Sequence, residues 1–172
     1  MVKGVTVMEL EEIYKEYIND LYRYLFSLSN DHYIAEDLVH ETFYRAYLVL
    51  ENEDVHQIKA WLFKVAYHAF IDFKRKNKRL ILRTNGDWEE IHEDTPERRL
   101  MEEESIRLIM KDLNTLKEVE KNAILLCDFN DFSYQEASDI LHLKLNTFKS
   151  HLFRGRNKLT TLIKERMRED EG

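Results

Sequence analysis

Two helical patterns separated by a short break, within residues 133–163, constrain the fold of this chain more than any other feature. The first pattern starts at Ser133, and Glu136 follows three residues later, which is the capping-box arrangement of a helix start. Helical spacing breaks at residues 142–145 and then resumes in a strongly basic segment. A short helix, a turn and a longer cationic helix are typical of a helix-turn-helix, whose second helix enters the DNA major groove. An ordinary helical hairpin with a solvated basic face is the alternative.

The composition predicts an all-α protein. Its 172 residues include only four Gly and one Pro, and 44% are hydrophobic, which is enough for a proper core. The single cysteine, Cys127, excludes an internal disulfide bond, and its apolar neighbours predict a buried side chain. We identify no signal peptide and no apolar run that could span a bilayer, so we expect a cytoplasmic protein without membrane insertion.

Charge is distributed unevenly along the chain. The formal net charge is −7, yet residues 144–168 carry eight Lys or Arg and one acidic residue. Residues 74–83 carry six Lys or Arg and no acidic residue. This separation predicts two nucleic-acid-facing patches on a body that repels DNA, so the free protein should bind DNA weakly.

The order of the helical patterns predicts two small helical domains. Three helices fit residues 1–79, and the third of them runs from about Ile58 to Lys78. Residues 80–101 lose periodicity and include Gly86, Pro96 and six acidic residues, which indicates a flexible acidic linker. Two further helices, at about 102–113 and 117–129, precede the helix-turn-helix and complete a second domain over residues 102–172.

The third predicted helix is apolar on several sides. One stripe contains Trp61, Leu62, Val65, Ala66, Ala69 and Phe73, whereas Phe63, Tyr67 and Phe70 lie elsewhere on its circumference. Exposed aromatics beside the basic segment that follows would suit single-stranded nucleic acid, because bases stack on rings and phosphates meet cations. The alternative is a central helix that is buried on most sides, with a basic end favoured by the helix dipole.

The second predicted helix has an acidic face, formed by Glu36, Asp37 and Glu41 together with His40. Asp37 and Glu41 lie one turn apart, so they repel one another weakly in an isolated helix. Both a solvated face and a docking surface for a basic partner explain this arrangement.

Catalytic signatures are missing from the sequence. His40–Glu41 would open a zinc-protease motif, but Tyr44 follows where the motif requires a second His. The seven His are scattered, and the sequence shows no Gly-rich phosphate loop. We therefore expect no enzymatic activity, no metal site and no cofactor.

Three segments, in this order, resemble the extracytoplasmic-function (ECF) group of bacterial sigma factors in the sigma-70 family. They are AEDLVHETFYRAY (35–47), IKAWLFKVAYHAFIDFKRKNKR (58–79) and SYQEASDILHLKLNTFKSHLFRGRNKL (133–159). The resemblance implies a subunit without catalysis of its own that directs core RNA polymerase to promoters and initiates transcription by melting promoter DNA. It assigns residues 1–79 to region 2 and residues 102–172 to region 4. Its implied partners are core polymerase, promoter DNA as duplex and melted strand, and an anti-sigma factor, often membrane-anchored.

The resemblance also implies roles for individual residues. Polymerase binding falls on Glu36, Asp37, His40 and Glu41. Contact with the minus-ten element falls on Asn52, Lys64, Tyr67, His68, Asp72, Lys74 and Arg75. In the minus-thirty-five contact, the resemblance implies that the major groove is faced by Lys149, Ser150, Phe153 and Arg154. It implies that phosphates are bound by Lys144, Arg156 and Lys158.

Several positions depart from the usual family pattern. Lys117 stands where a Pro is common, and Lys144 replaces a capping hydroxyl at the start of the last helix. Gly155 lies in mid-helix, where it costs about 1 kcal/mol relative to Ala. His68 and Phe148 also differ from the family, and these two positions bear on which promoter sequence is read.

Other functions remain compatible with parts of the sequence. A stand-alone regulator would use only the helix-turn-helix and would bind duplex DNA without polymerase, with a steep salt dependence. An adaptor or anti-sigma-like protein would leave both basic segments as solvated faces. A metal-dependent hydrolase is a more distant alternative.

Overall fold

The computed structural model describes residues 7–53, 55–78 and 104–172. All regular secondary structure in these ranges is helical, and the helices divide into two compact units. The prediction of an all-α protein with two helical domains is confirmed. The predicted linker, residues 80–101, lies outside the described residues.

The described residues of the first unit form three helices, α1 (Val7–Ser29), α2 (His32–Leu50) and α3 (Ile58–Lys76). Asp31 caps α2, because its side chain accepts a hydrogen bond from the backbone N–H of Ile34 at 3.0 Å. The turn before it passes through Asn30, which has a left-handed backbone (φ 56°). This short turn folds α2 back against α1, and α3 packs against both.

Helix α3 is the central element of this core. Phe63 and Phe70 are buried, and the rings of Phe63 and Tyr24 lie 5.1 Å apart between centroids. The interpretation that these two aromatics are exposed to stack on nucleic acid is therefore wrong. Because α1 and α2 cover α3 over a wide arc, side chains beyond one stripe are buried. Tyr67 differs from them, since it remains half-buried.

Within residues 104–172, the described part of the second unit, there are four α-helices. They are α4 (Glu104–Leu113), α5 (Glu118–Ile124), α6 (Tyr134–Ile140) and α7 (Leu145–Glu171). A π-helical turn, Leu125–Phe129, extends α5. The Nδ2 of Asn130 donates to the carbonyl oxygen of Leu125 at 2.7 Å and closes this turn.

The helix-turn-helix forms as predicted. Ser133 Oγ accepts from the backbone N–H of Glu136 at 3.1 Å, and the Glu136 carboxylate accepts from the N–H of Ser133 at 3.0 Å, so the capping box is complete. The turn passes through His142, which has a left-handed backbone (φ 54°). Helix α7 then presents Phe148, Leu152 and Gly155 to the core.

Candidate nucleic-acid interface

An exposed face of α2, here called the docking face, carries the predicted polymerase-binding residues. Asp37, His40 and Glu41 are exposed, and Glu36 is half-buried. Sequence reasoning missed the large apolar side chains on the same face: Tyr44 is 60% exposed, and Tyr33 and Leu48 are also exposed. The sequence spacing of these side chains from Asp37 could have predicted their position, because residues four and seven apart share a helix face. The docking face is therefore mixed acidic and aromatic rather than simply acidic.

Arg45 links the docking face to α3. Its Nε donates to Glu41 at 2.8 Å, and its Nη2 lies 3.1 Å from a carboxylate oxygen of Asp72. The hydrogen bond to Glu41 is the larger cause of a raised pKa of Arg45, and the Asp72 carboxylate adds to it. Asp72, predicted to contact the minus-ten element, is thus paired with a cation inside the unit. This pairing reduces the repulsion that a bare carboxylate would exert on DNA.

The other residues predicted for the minus-ten element lie along and beside one side of α3. Lys64, His68 and Arg75 are four and seven residues apart, opposite the buried residues, and form what we call the strand face. Tyr67 and Lys74 are half-buried at its margin, and the rings of Tyr67 and His68 lie 6.3 Å apart. Asn52 is exposed in the turn that follows α2. The strand face therefore combines cations with a tyrosine ring, which is the chemistry that single-stranded nucleic acid requires.

The exposed side of α7 carries the residues predicted to face the major groove. Lys149, Ser150, Phe153 and Arg154 are all exposed and form what we call the reading face. Phe153 is 67% exposed although it is apolar. Ser150 Oγ donates to the backbone oxygen of Asn146 at 3.1 Å. The reading face thus combines two cations, a hydroxyl and a phenyl ring on one straight helix.

Arg156, predicted to bind a phosphate, forms an internal ion pair. Its Nε and Nη2 donate to the two carboxylate oxygens of Asp128 at 3.0 and 2.7 Å. Its Nη1 donates to the hydroxyl of Tyr134 at 3.1 Å, and its guanidinium carbon lies 5.8 Å from the centre of that ring. These hydrogen bonds, with Asp128 the main cause, raise the pKa of Arg156. The π-helical turn is what directs Asp128 toward α7.

Lys158, also predicted to bind a phosphate, pairs with a buried carboxylate. Its Nζ donates to the oxygens of Glu120 at 2.8 and 3.1 Å, and the Glu120 side chain is fully buried. Glu120 also accepts from the backbone N–H of Lys117 at 3.2 Å, a hydrogen bond that Pro in this position could not donate. Burial alone would raise the pKa of Glu120, but the hydrogen bonds from Lys158 and Lys117 outweigh it and lower that pKa.

Arg156 and Lys158 therefore join α7 to the rest of the second unit, and Arg166 adds an ion pair with Asp112 of α4. Lys144 differs from them, because it lies exposed at the N-cap of α7. Sequence reasoning missed these pairs because Asp128 and Glu120 lie 28 and 38 residues from their partners.

Arg154, on the reading face, contacts a histidine rather than a carboxylate. Its Nη2 lies 3.0 Å from Nδ1 of His151, one turn earlier in α7. His151 was not among the predicted site residues, and its position on the half-buried margin of the helix gave no signal.

Metal and membrane sites are not formed by the described part of the chain. Within residues 7–53, 55–78 and 104–172, no group of three His, Cys, Asp or Glu side chains could hold a metal ion. Helices in the same ranges lack the combined length and hydropathy of a membrane span.

Comparisons with known proteins agree with this architecture. Residues 13–80 match the family model of Sigma-70 region 2, and residues 106–159 match that of Sigma-70, region 4. The chain is 35% identical over 155 residues to ECF RNA polymerase sigma factor SigM of Bacillus subtilis, a match that covers 90% of this chain and 95% of SigM. RNA polymerase sigma factor YlaC of the same organism is 28% identical and matches 87% of this chain and 89% of YlaC.

Solved structures share the fold. The sigma factor RpoE in its complex with the anti-sigma factor NepR, from Bartonella quintana, aligns with a TM-score of 0.74 and 29% identity. This alignment covers 92% of this chain and 98% of RpoE. CnrH, solved with the cytosolic domain of CnrY, aligns with a TM-score of 0.68 at 19% identity over 93% of this chain and 90% of CnrH, which supports the fold alone. The chain therefore belongs to the ECF group of sigma-70 RNA polymerase sigma factors, the subunits that direct core polymerase to promoters for initiation.

Proposed function

We propose that the two units of this sigma factor divide promoter recognition between them. The docking face of α2 binds core polymerase, the strand face of α3 holds melted DNA at the minus-ten element, and the reading face of α7 binds the minus-thirty-five duplex. The observation that carries this proposal is the order of the family matches. The region 2 match covers the unit with the docking and strand faces, and the region 4 match covers the unit with the reading face.

Charge and aromaticity support the docking role of α2. The acidic residues Asp37 and Glu41 attract a basic partner and orient it, whereas Tyr44 and its apolar neighbours supply area that becomes buried on binding. Exposed aromatic side chains are common anchors of protein interfaces. We therefore extend the predicted polymerase contact from the four charged or titratable residues to Tyr33, Tyr44 and Leu48.

The strand face suits melted DNA better than duplex. Lys64, Arg75 and Lys74 attract phosphates, and the half-buried Tyr67 offers an aromatic ring on which one base can stack. Asn52 precedes α3 in an exposed turn, and we propose that it contacts a base flipped out of the melted strand.

On α7 we assign sequence reading and phosphate binding to different residues. Arg154 and Lys149 offer donors to base edges, and Phe153 offers an apolar contact. Lys144 is the exposed cation for phosphate contact. Arg156 and Lys158 have their charges matched by Asp128 and Glu120, so we propose that they mainly orient α7 and add a smaller share of phosphate binding.

The same assignment defines how the protein works in a cell. We propose that it acts in the cytoplasm without catalytic activity of its own. We also propose that an anti-sigma factor holds it inactive, as RpoE of Bartonella quintana was solved in complex with the anti-sigma factor NepR. Because the docking face is the proposed polymerase contact, an inhibitor that covered it would compete directly with polymerase.

Transcription by purified core polymerase, with and without this protein, on sheared DNA from the source genome tests the proposal. We expect discrete start sites that appear only when the protein is present. Arg154→Ala should weaken those starts by about tenfold, since a good base contact contributes about 1–3 kcal/mol. Met167→Ala is the matched control, because Met167 is an exposed apolar residue of the same helix outside the reading face. Tight sequence-specific duplex binding without polymerase, together with no new starts, would support a stand-alone regulator instead.

The docking face is tested separately by affinity for core polymerase. Asp37→Lys should weaken binding, because it reverses a charge at the centre of the face. Glu53→Lys makes the same charge change at an exposed position beyond α2 and should have a much smaller effect. Equal losses in the two variants would indicate a general charge effect and would remove the docking face from the proposal.

A further inference from the structure

The contact between Arg154 and His151 requires one particular tautomer of the histidine. Arginine side chains carry N–H donors and no acceptor. Since the guanidinium Nη2 lies 3.0 Å from Nδ1 of His151, Nδ1 must be the acceptor in this contact. For this hydrogen bond to form, the imidazole must carry its proton on Nε2 and leave Nδ1 free to accept.

A neutral partner has a different effect on Arg154 than a carboxylate would have. Asp128 and Glu120 hold Arg156 and Lys158 but also cancel their positive charges. His151 restricts the Arg154 side chain and leaves its full charge exposed. It occupies one N–H of the guanidinium and leaves the others for an outside acceptor.

We propose that His151 is a positioning residue that holds the Arg154 guanidinium ready to read a guanine in the upstream promoter element. The inference rests on the proposed function, which places α7 in the major groove. A guanine presents two acceptors there, O6 and N7, and arginine is their usual partner. Restricting the arginine rotamers before binding lowers the entropy cost of the contact, so the pair binds guanine more tightly than Arg154 alone would.

The geometry is tested first in the free, full-length protein by ¹⁵N NMR of the histidine rings. His151 should show the pattern of a neutral imidazole protonated at Nε2, assigned by its loss in His151→Gln. Arg154→Ala should shift this ring toward a mixture of tautomers. A ring protonated mainly at Nδ1 in the wild-type protein would overturn the proposal, because such a ring cannot accept from Arg154.

Reading is tested in the holoenzyme on its selected promoter, with each upstream guanine replaced in turn by 7-deazaguanine, which lacks the N7 acceptor. We expect the wild-type holoenzyme to lose about tenfold affinity at one guanine. Arg154→Ala should abolish that loss, and His151→Ala should reduce it to about threefold or less. His151→Gln should restore most of it, because its side-chain oxygen can accept from Arg154.

Two results would overturn the role of the pair. One is a His151→Ala holoenzyme that keeps the full 7-deazaguanine penalty, and the other is a wild-type holoenzyme that is insensitive at every guanine. A wild-type holoenzyme that selects no promoter would refute the proposed function itself. The tautomer measurement would still report separately on the geometry of the pair.

Discussion

Gly155 of α7 packs directly against Glu120 of α5. A Cβ atom on Gly155 would lie 3.1 Å from the Cβ of Glu120, 3.1 Å from Cδ1 of Ile124 and 3.2 Å from the carbonyl oxygen of Glu120. Two of these three neighbours, the Cβ and the carbonyl oxygen of Glu120, cannot swing away, because the helix backbone holds them and the residue is fully buried. The glycine that appears unfavourable in the sequence is therefore required by the close approach of the two helices.

We expect Gly155→Ala to lower the free energy of unfolding by about 1 kcal/mol. Overpacking of this kind costs about 1–3 kcal/mol, and the better helix propensity of Ala returns about 1 kcal/mol. Denaturant unfolding followed by circular dichroism measures the change. Asn157→Ala, at an exposed position two residues later, should be neutral or slightly stabilising. An increase in the stability of Gly155→Ala would show that α5 and α7 can separate without cost.

Glu120 should make stability sensitive to acid. Its pKa is lowered in the folded protein, so its contribution is fully present above the unfolded pKa of about 4.5 and is lost as pH falls through the folded value. Unfolding measured between pH 6 and about pH 3 should therefore show a shallower decline for Glu120→Gln than for the wild type. Equal slopes in the two proteins would show that the carboxylate titrates alike in both states.

Asn30→Gly should stabilise the first unit by about 1 kcal/mol. The Oδ1 of Asn30 is buried without a hydrogen-bond partner among the described residues, and the backbone there is left-handed (φ 56°). Glycine removes the unsatisfied oxygen and suits the backbone. Asp131→Gly is the control, because Asp131 has a similar backbone (φ 60°) but is exposed. Its gain in thermal stability should be smaller, and a loss of stability in Asn30→Gly would contradict the assignment.

Cys127 should react slowly in the native protein. Cys127 is half-buried rather than buried as predicted, and this partial burial, with a smaller contribution from Asp128, raises the pKa of its thiol from 9.0 to about 11. The thiolate is the reactive form of cysteine. A thiol pKa that is higher by about two lowers the thiolate population about a hundredfold near neutral pH. Alkylation by iodoacetamide, followed by mass spectrometry, should be about ten- to a hundredfold slower in buffer than in urea, because the more basic thiolate is also more nucleophilic. Similar rates in both conditions would show that the thiol is freely accessible.

The paired and unpaired cations of α7 should behave differently when removed. Arg156→Ala should lower the free energy of unfolding by about 0.5–1 kcal/mol, which allows for the exposure of its pair with Asp128. Lys149→Ala should leave the stability unchanged and should reduce the salt dependence of holoenzyme binding to promoter DNA. Reversed effects would assign phosphate binding to Arg156 and a structural role to Lys149.

Local sequence patterns predicted most of the fold. Helical periodicity located the helices to within a few residues, and the Ser133–Glu136 spacing located the start of α6. The burial of Phe63 and Phe70 could not be predicted in this way, because an apolar stripe does not show how wide an arc of α3 the neighbouring helices cover. Their burial depends on where α1 and α2 pack, which no local pattern contains.

The candidate site was predicted by residue type but not by pairing. Exposure of Lys149, Ser150, Phe153 and Arg154 follows from their position opposite the buried stripe of α7. The partners of Arg156 and Lys158 could not be predicted, because they come from α5 and its π-helical turn, which tertiary packing brings to α7. The His151–Arg154 contact is local, but its significance depends on the chemistry of the two groups rather than on their spacing.

The division of labour along α7 has a consequence for how such proteins diverge. The side chains that anchor the helix, Gly155, Arg156 and Lys158, interact with Glu120 and Asp128 inside the domain, whereas Ser150, Phe153 and Arg154 point away from them. Duplicated copies of such a gene can therefore accumulate changes at the outward positions at little risk to folding. Each copy can acquire its own set of target promoters while α7 keeps the same position in the domain.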